Sequence, residues 1–382
     1  MVDGTTKNIP VESKLTSRSL DILGDKSQIK EVEIGEGVEM ITGFAFYNCR
    51  SLTSITIPDS VTNFGNSAFH CCSGLTSITI PKTVTKIGGS AFCGCTGMKS
   101  ITIPDSVTEI GDDAFKGCTG LTNVTIPDSV TKIGGAFRDC TGLKSITIGK
   151  SVKQIGDSAF KGCTKLKSIT IPDSVKEIGE WAFSDCKGLK SITIPNSVKE
   201  IGECAFFGCT GLTSITIPDS VTKIGGSAFK GCTGLTSITI PDSVTVIGGW
   251  TFEGCTGLTS ITIPDSVTEI GRVAFKDCTG LTGLTIPDSV KEIENNAFEG
   301  CTGLTSVTIP DSVKEIGWNA FHSCSIKTVT FGTGTDKIES DVFKENPIKT
   351  IFVPAEKTDY YKQRLPKELH KKIVELPAEK KN

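Results

Sequence analysis

The chain repeats itself every 23 residues, and that period limits its fold more than any other property. Pro58, Pro81, Pro104 and Pro127 step by 23, and Pro172, Pro195, Pro218, Pro241, Pro264, Pro287 and Pro310 keep the same step. Gly149 takes the missing proline's place one residue early, because Gly134-Gly135-Ala136-Phe137 is one residue short. A unit this small cannot close a core of its own. Ordering its backbone costs about 1–2 kcal/mol per residue, against roughly 1.5–3 kcal/mol for each apolar side chain it fully buries. Copies must therefore stack on one another, and the architecture is a solenoid of coils.

The clearest copy runs Leu212-Thr213-Ser214-Ile215-Thr216-Ile217-Pro218-Asp219-Ser220-Val221, then Ile224-Gly225, Ala228-Phe229 and Cys232. Alternation at Ile215-Thr216-Ile217 predicts a strand with the isoleucines on one face and Ser214 and Thr216 on the other. Pro218 has no N–H to give to a ladder and closes the strand. Asp219-Ser220 suits a turn, since both side chains can bond nearby backbone. Gly225 is expected at a bend with positive φ, and Ala228-Phe229 on a short helical turn. Fourteen phenylalanines, from Phe46 to Phe343, recur at one repeat position and are expected to stack as a spine.

The pattern Leu-x-x-Ile-x-Ile-Pro-x-Ser-Val-x-x-Ile-Gly-x-x-Ala-Phe-x-x-Cys resembles the BspA-type leucine-rich repeat of bacterial and protist surface proteins. The resemblance runs from Ile29 to Pro354. It implies an α/β repeat fold: a right-handed solenoid with one parallel sheet on its concave face and short helical turns on its convex side. It also implies adhesion or binding of host or partner proteins at a cell surface.

Sixteen cysteines invite a disulfide reading, yet thirteen of them share one repeat position, from Cys49 to Cys324. The next copy carries Asn346 there. Asparagine can replace a buried donor to loop carbonyls but not half of a disulfide. Stacked β-carbons at strand spacing also lie farther apart than the roughly 3.8 Å a disulfide prefers. The ladder thiols are therefore expected to be reduced and buried. Cys71, Cys93 and Cys204 lie off the ladder. Cys71-Cys72 and Cys93-x-Cys95 fall in adjacent coils, a spacing that admits a four-thiolate zinc site, but ladder and off-ladder sulfurs should project differently.

Forty basic and 43 acidic side chains leave a net charge of −3, and no basic tract marks a nucleic-acid footprint. No apolar run reaches membrane-spanning length. The first residues lack the apolar centre of a signal peptide. That favours an intracellular scaffold as the alternative to a surface role. Serine, threonine and aspartate abound because the repeat uses them in turns and on the outer strand face. No histidine stands near a distinctive nucleophile, Gly332-Thr333-Gly334 is too short for a phosphate loop, and Asn123-Val124-Thr125 is a lone glycosylation sequon. The reading is a non-catalytic interaction module with no cofactor and no metal.

Residues 1–28 read as a degenerate first coil acting as a cap, with Ile22-Leu23 where Ala-Phe would fall. Residues 29–354 read as about fourteen coils, and 355–382 as a C-terminal cap, mostly helical over 355–370, with a charged tail. Phe352 takes the outer position usually held by threonine and wants cover. Lys367-Glu368-Leu369-His370-Lys371-Lys372 mixes charge and is a weak candidate for a membrane-surface helix.

Two features break the surface's monotony. Lys144, Lys167 and Lys190 stand in three consecutive coils at an outer strand position where most copies have threonine. Lys150, Lys153, Lys176 and Lys199 follow just past the strand ends, with Glu177 and Glu200 near enough to compensate. The lysines form a candidate docking stripe for an acidic protein loop or acidic glycan. Trp181, Trp250 and Trp318 are candidate contact residues on the back of the coil, or rings lying flat on the next coil. The Ser-x-Thr rows also admit a third use, binding an ice or crystal surface, alongside the plain fact that threonine suits exposed strands.

Overall fold

A computed structural model of the chain describes residues 13–21 and 24–376. The cap positions Ile22 and Leu23 and the charged tail beyond Leu376 lie outside the described residues. The coils group into two compact units, Met1–Leu189 and Lys190–Asn382, and every strand pairing described is parallel.

Alternation does set the first ladder. In the first unit, Glu31–Glu33 pairs with Ser54–Thr56, and Asn123–Thr125 with Ser145–Thr147. In the second, Ser191–Thr193 pairs with Ser214–Thr216, and Ser237–Thr239 with Ser260–Thr262. The central isoleucine or valine of each Ser-Ile-Thr or Asn-Val-Thr strand is buried while its flanking serine, asparagine and threonine are exposed. The ladder thins to an isolated bridge at two places, Thr79 to Thr102, where both copies read Ser-Ile-Thr, and Ser260 to Gly283.

The expectation of one sheet is corrected. Each coil carries a second, two-residue strand just before its glycine bend. In the first unit Lys14–Leu15, Met40–Ile41, Asn63–Phe64, Lys86–Ile87 and Glu109–Ile110 form a five-stranded sheet. In the second, Val246–Ile247, Glu269–Ile270, Glu292–Ile293, Glu315–Ile316 and Lys337–Ile338 do the same. Two residues alternate too briefly to announce themselves, but the inward isoleucine and outward charge repeat in most copies.

The bend is also corrected. Gly225 does not take positive φ; a β-carbon on it would lie 2.5 Å from the Glu203 backbone nitrogen of the preceding coil, so glycine is needed there for close approach. The left-handed residues are Ser227 (φ 57°) and Gly231 (φ 73°), flanking Ala228-Phe229-Lys230, which forms a turn rather than a helix. The same two positions recur along the chain. The short copy Gly134-Gly135-Ala136 lacks the first of them, and neither glycine there has positive φ. The missing residue is the left-handed one.

The phenylalanine spine is present in each unit. Phe46, Phe69, Phe92 and Phe115 stack at 5.1–5.4 Å between centroids and within 3° of parallel, and Phe252, Phe275, Phe298 and Phe321 at 5.1–5.2 Å. Side-chain ladders run beside it. The Cys72, Cys95 and Cys118 thiols donate to the carbonyls of Phe46, Phe69 and Phe92, each 3.1 Å away in the preceding coil. Cys255, Cys278 and Cys301 do likewise to Phe229, Phe252 and Phe275. These six thiols are free and buried. The serines of the Asp-Ser turns bond between coils rather than locally: Ser60 donates to Val38 O, Ser106 to Val84 O and Ser266 to Val244 O, at 2.7–2.8 Å.

At the C-terminal end the helix is shorter than expected. Thr358–Arg364 is helical, Leu365 turns to an extended conformation before Pro366, and Lys367–Lys372 is a 3-10 segment with Leu369 buried. An unexpected strand, Ile373–Leu376, then pairs with Thr350–Pro354 and sets Val374 opposite Phe352. Phe352 is half-buried, and Val374 beside it remains 45% exposed. Tyr361 closes the core instead, stacked at 4.5 Å on Phe331 with its hydroxyl donating to Gly332 O at 2.7 Å.

Candidate interaction surface

Lys144 and Lys167 sit in adjacent coils of the first unit. The Lys144 N–H donates to Thr122 O at 2.8 Å, and the Lys167 N–H to Lys144 O at 3.2 Å. Both side chains are exposed. Lys153 and Lys176 form a parallel step on the next edge of the same coils, with the Lys176 N–H on Lys153 O at 2.8 Å. Lys190 belongs to the second unit, where Thr213 donates both its N–H (2.9 Å) and its hydroxyl (3.0 Å) to Lys190 O.

Among the described residues, no carboxylate lies within 4.0 Å of the ammonium of Lys144, Lys167 or Lys190. The expected compensation goes elsewhere: Glu200 pairs with Lys223 at 3.7 Å, and Glu177 stands in register with Gln154. Like charges about 5 Å apart repel by roughly 1 kcal/mol even in water.

The tryptophans separate into two kinds. Trp181 is half-buried in a left-handed conformation (φ 56°), with Lys161 Nζ 4.1 Å from its ring centroid. Trp250 holds the same left-handed position (φ 58°) but is 40% exposed, with Arg272 5.7 Å away. Trp318, one position earlier in its coil, is 47% exposed and its backbone N–H donates to Asn295 Oδ1 at 2.8 Å. A ring at a left-handed position costs backbone strain of about 1–3 kcal/mol, which serine, asparagine or glycine would lessen.

A family model described as BspA type Leucine rich repeat region matches residues 23–136, 135–258 and 227–349. The chain belongs to the BspA-type leucine-rich repeat family. A leucine-rich repeat protein from Bacteroides ovatus is 32% identical, covering 98% of this chain and 97% of its own, with a TM-score of 0.73. One from Eubacterium ventriosum is 26% identical over 81% of this chain and 87% of its own, with a TM-score of 0.55. A leucine rich cell surface protein from Faecalibacterium prausnitzii is 31% identical over 81% and 87%, with a TM-score of 0.49. No curated protein matches the chain.

Within this BspA-type repeat, sequence reading missed two charged rows. On the second ladder of the second unit Glu269, Glu292 and Glu315 stand in register. Burial and the neighbouring Glu294 and Glu292 push the Glu269 carboxyl up. The other row follows the spine phenylalanine: Lys230 pairs with Glu253 at 2.7 Å and Lys276 with Glu299 at 3.1 Å. His322 Nδ1 lies 2.9 Å from a hydroxyl, that of Ser323. That hydroxyl donates to Glu345 Oε2 at 2.8 Å, and the imidazole sits between Glu299 and Glu345 at 4.0 and 3.8 Å, so the group is a polar cluster joining three coils. Among the described residues no set of three or more His, Cys, Asp or Glu could hold a metal ion, and no helix is long and apolar enough to cross a membrane.

Proposed function

We propose that the chain is a non-catalytic interaction module that binds a protein or acidic glycan partner at a cell surface. The observation that carries this reading is the Lys144–Lys167 step: two exposed lysines in adjacent coils, with no carboxylate among the described residues within 4.0 Å of either ammonium, on a ladder face made mainly of serine and threonine. A face rich in repeated hydroxyls gives many weak, similar contacts, which gain strength together when the partner is itself repetitive. An anionic partner would relieve the lysine repulsion and set the register. Membership in the BspA-type family, associated with adhesion, supports the surface setting. In this reading the coils wind right-handed, as parallel crossovers do, and the hydroxyl ladder faces the concave side. Exposed Trp250 and Trp318 offer a second contact area of the kind enriched at binding hot spots.

Two experiments test the reading. Labelling intact cells with a membrane-impermeant amine reagent should modify the native protein; protection until lysis favours the scaffold alternative. Immobilised heparin, as a sulfated probe, should retain the protein in a salt-dependent way. A repeated hydroxyl lattice also allows binding to ice, and thermal hysteresis in the purified protein would be the sign of that use.

A further inference from the structure

Two cysteines stand apart from the thiol ladder and beside each other. The Cys71 N–H donates to the Cys93 carbonyl at 2.7 Å. With standard bond lengths, that bond holds the two α-carbons within about 6.6 Å, inside the roughly 4.4–6.8 Å that a disulfide spans. Cys71 occupies the left-handed corner (φ 60°) where the next coil has Gly94. Its sulfur points at that next coil: a β-carbon on Gly94, the residue after Cys93, would lie 3.2 Å from Cys71 Sγ. Glycine leaves the room into which the sulfur turns. Both thiols are partly exposed, whereas Cys72 and Cys95 are buried with their sulfurs donating to phenylalanine carbonyls.

The surroundings are polar and partly open to solvent. Cys93 shares its repeat position with His70 one coil before and Lys116 one coil after. The His70 ring stacks on Tyr47 at 5.1 Å, and its Nδ1 is buried without a hydrogen-bond partner. Burial pushes the Cys93 thiol up, with Asp113 and Cys71 adding to that and Lys116 and Arg138 acting against it.

We propose that Cys71 and Cys93 are a reversible oxidation site in which a hydroperoxide joins two adjacent coils through a disulfide. One thiolate attacks the peroxide and becomes a sulfenic acid, releasing water once the leaving hydroxide takes a proton. The second thiol then displaces the sulfenic oxygen as a second water, leaving the sulfur–sulfur bond. Two thiols are oxidised and one peroxide is reduced to two waters. A dithiol reverses the bond by exchange. The bridge closes a short loop and staples the two coils at their rim, which should slow their local opening.

The test is peptide mapping of the native full-length protein after hydrogen peroxide, acid quench and alkylation. A cross-linked peptide pair containing Cys71 and Cys93, a loss of two titratable thiols per chain, and full recovery with dithiothreitol are expected. Formation should be faster at pH 9 than at pH 7, since the thiolate reacts. Cys71→Ser and Cys93→Ser should each abolish the cross-link; the wild-type map stands by itself if either variant folds poorly. The proposal is overturned if Cys71 or Cys93 bridges to a ladder cysteine, or overoxidises without bridging. It is equally overturned if both stay reduced under peroxide that oxidises a cysteine peptide in the same tube.

Discussion

Asn346 Nδ2 donates to the carbonyl of Phe321 at 2.7 Å, the same bond across coils that Cys324 Sγ makes to Phe298 at 3.1 Å. The amide then does more than a thiol can. Its Nδ2 also reaches Phe343 O, and its Oδ1 accepts the Ile326 N–H at 2.9 Å. Asn346→Ala should therefore cost about 1–3 kcal/mol, the range for leaving buried backbone groups unsatisfied, while Asn346→Cys should restore the bond to Phe321 alone. Urea denaturation of both variants checks this; equal loss in the two would mean that the ladder donor contributes nothing.

The ladder thiols should be inert while the coils are folded. Burial pushes Cys95, Cys140, Cys255 and Cys324 up to about 12, so at neutral pH they are protonated and donate to carbonyls. Since the thiolate is the nucleophile, alkylation of these four in native protein should be slower than in urea by more than a hundredfold. Mass-mapped alkylation kinetics measures it. Rapid labelling of Cys255 in the native state would contradict the buried ladder.

How much of this was legible in the sequence depends on how many residues carried each signal. The Ser-Ile-Thr ladder, the phenylalanine spine and the thiol ladder each repeat in nearly every copy, with a side chain whose chemistry allows one environment. Asn346 in a cysteine's place even disclosed the hydrogen bond. The Lys-Ile and Glu-Ile strands were not legible, because two residues do not alternate long enough to tell a strand from a turn. Nor were the left-handed corners, which accept serine, aspartate, tryptophan and glycine alike; the conspicuous Gly225 pointed to the wrong bend. The lysine step was visible as a pattern, but the missing carboxylates around it were not, since Glu200 looked near in sequence and pairs with Lys223 in space.

Phe275→Ala should cost about 3–5 kcal/mol as a large-to-small change in a packed core. Its ring is fully buried and stacked at 5.2 Å on Phe252 and 5.1 Å on Phe298. Because each coil leans on its nearest neighbours, amide exchange should accelerate first in the coils around residues 250–300, before global unfolding. Equal loss of protection along the whole chain would argue against one-dimensional coupling.

Stability of the second unit should carry a signature of its glutamate row. Glu269 is held above the ordinary carboxylate range by burial first, then by Glu294 and Glu292. Its folded state therefore keeps the proton to higher pH than the unfolded chain does, and stability falls as pH rises through the raised value. At pH 7 the ionised Glu269 is a cost. Glu269→Gln should then be more stable than the parent at pH 7, with the difference shrinking as pH falls from the raised value to the ordinary carboxylate value of 4.5 and vanishing below it. Thermal melts of both proteins across that range decide it, and a gap that widens on acidification would reverse the sign.

The lysine step can be removed without touching the fold. Threonine at this position donates twice to the preceding coil: Thr259 gives its N–H (3.1 Å) and its hydroxyl (3.2 Å) to Thr236 O. Lys144 gives only its N–H to Thr122 O, so a threonine there can add a bond and remove a charge. The variant Lys144→Thr/Lys167→Thr/Lys190→Thr should melt at or slightly above the parent temperature. Three exposed charge contacts of about 0.2–1 kcal/mol each amount to roughly a tenfold weakening toward a sulfated probe. Retention on heparin should shift to lower salt and its dependence on ionic strength should flatten, since screening acts on the charges removed. A triple variant that folds, yet elutes from heparin at the parent's salt concentration, would show that these lysines only line the solvent and that any anionic partner docks elsewhere.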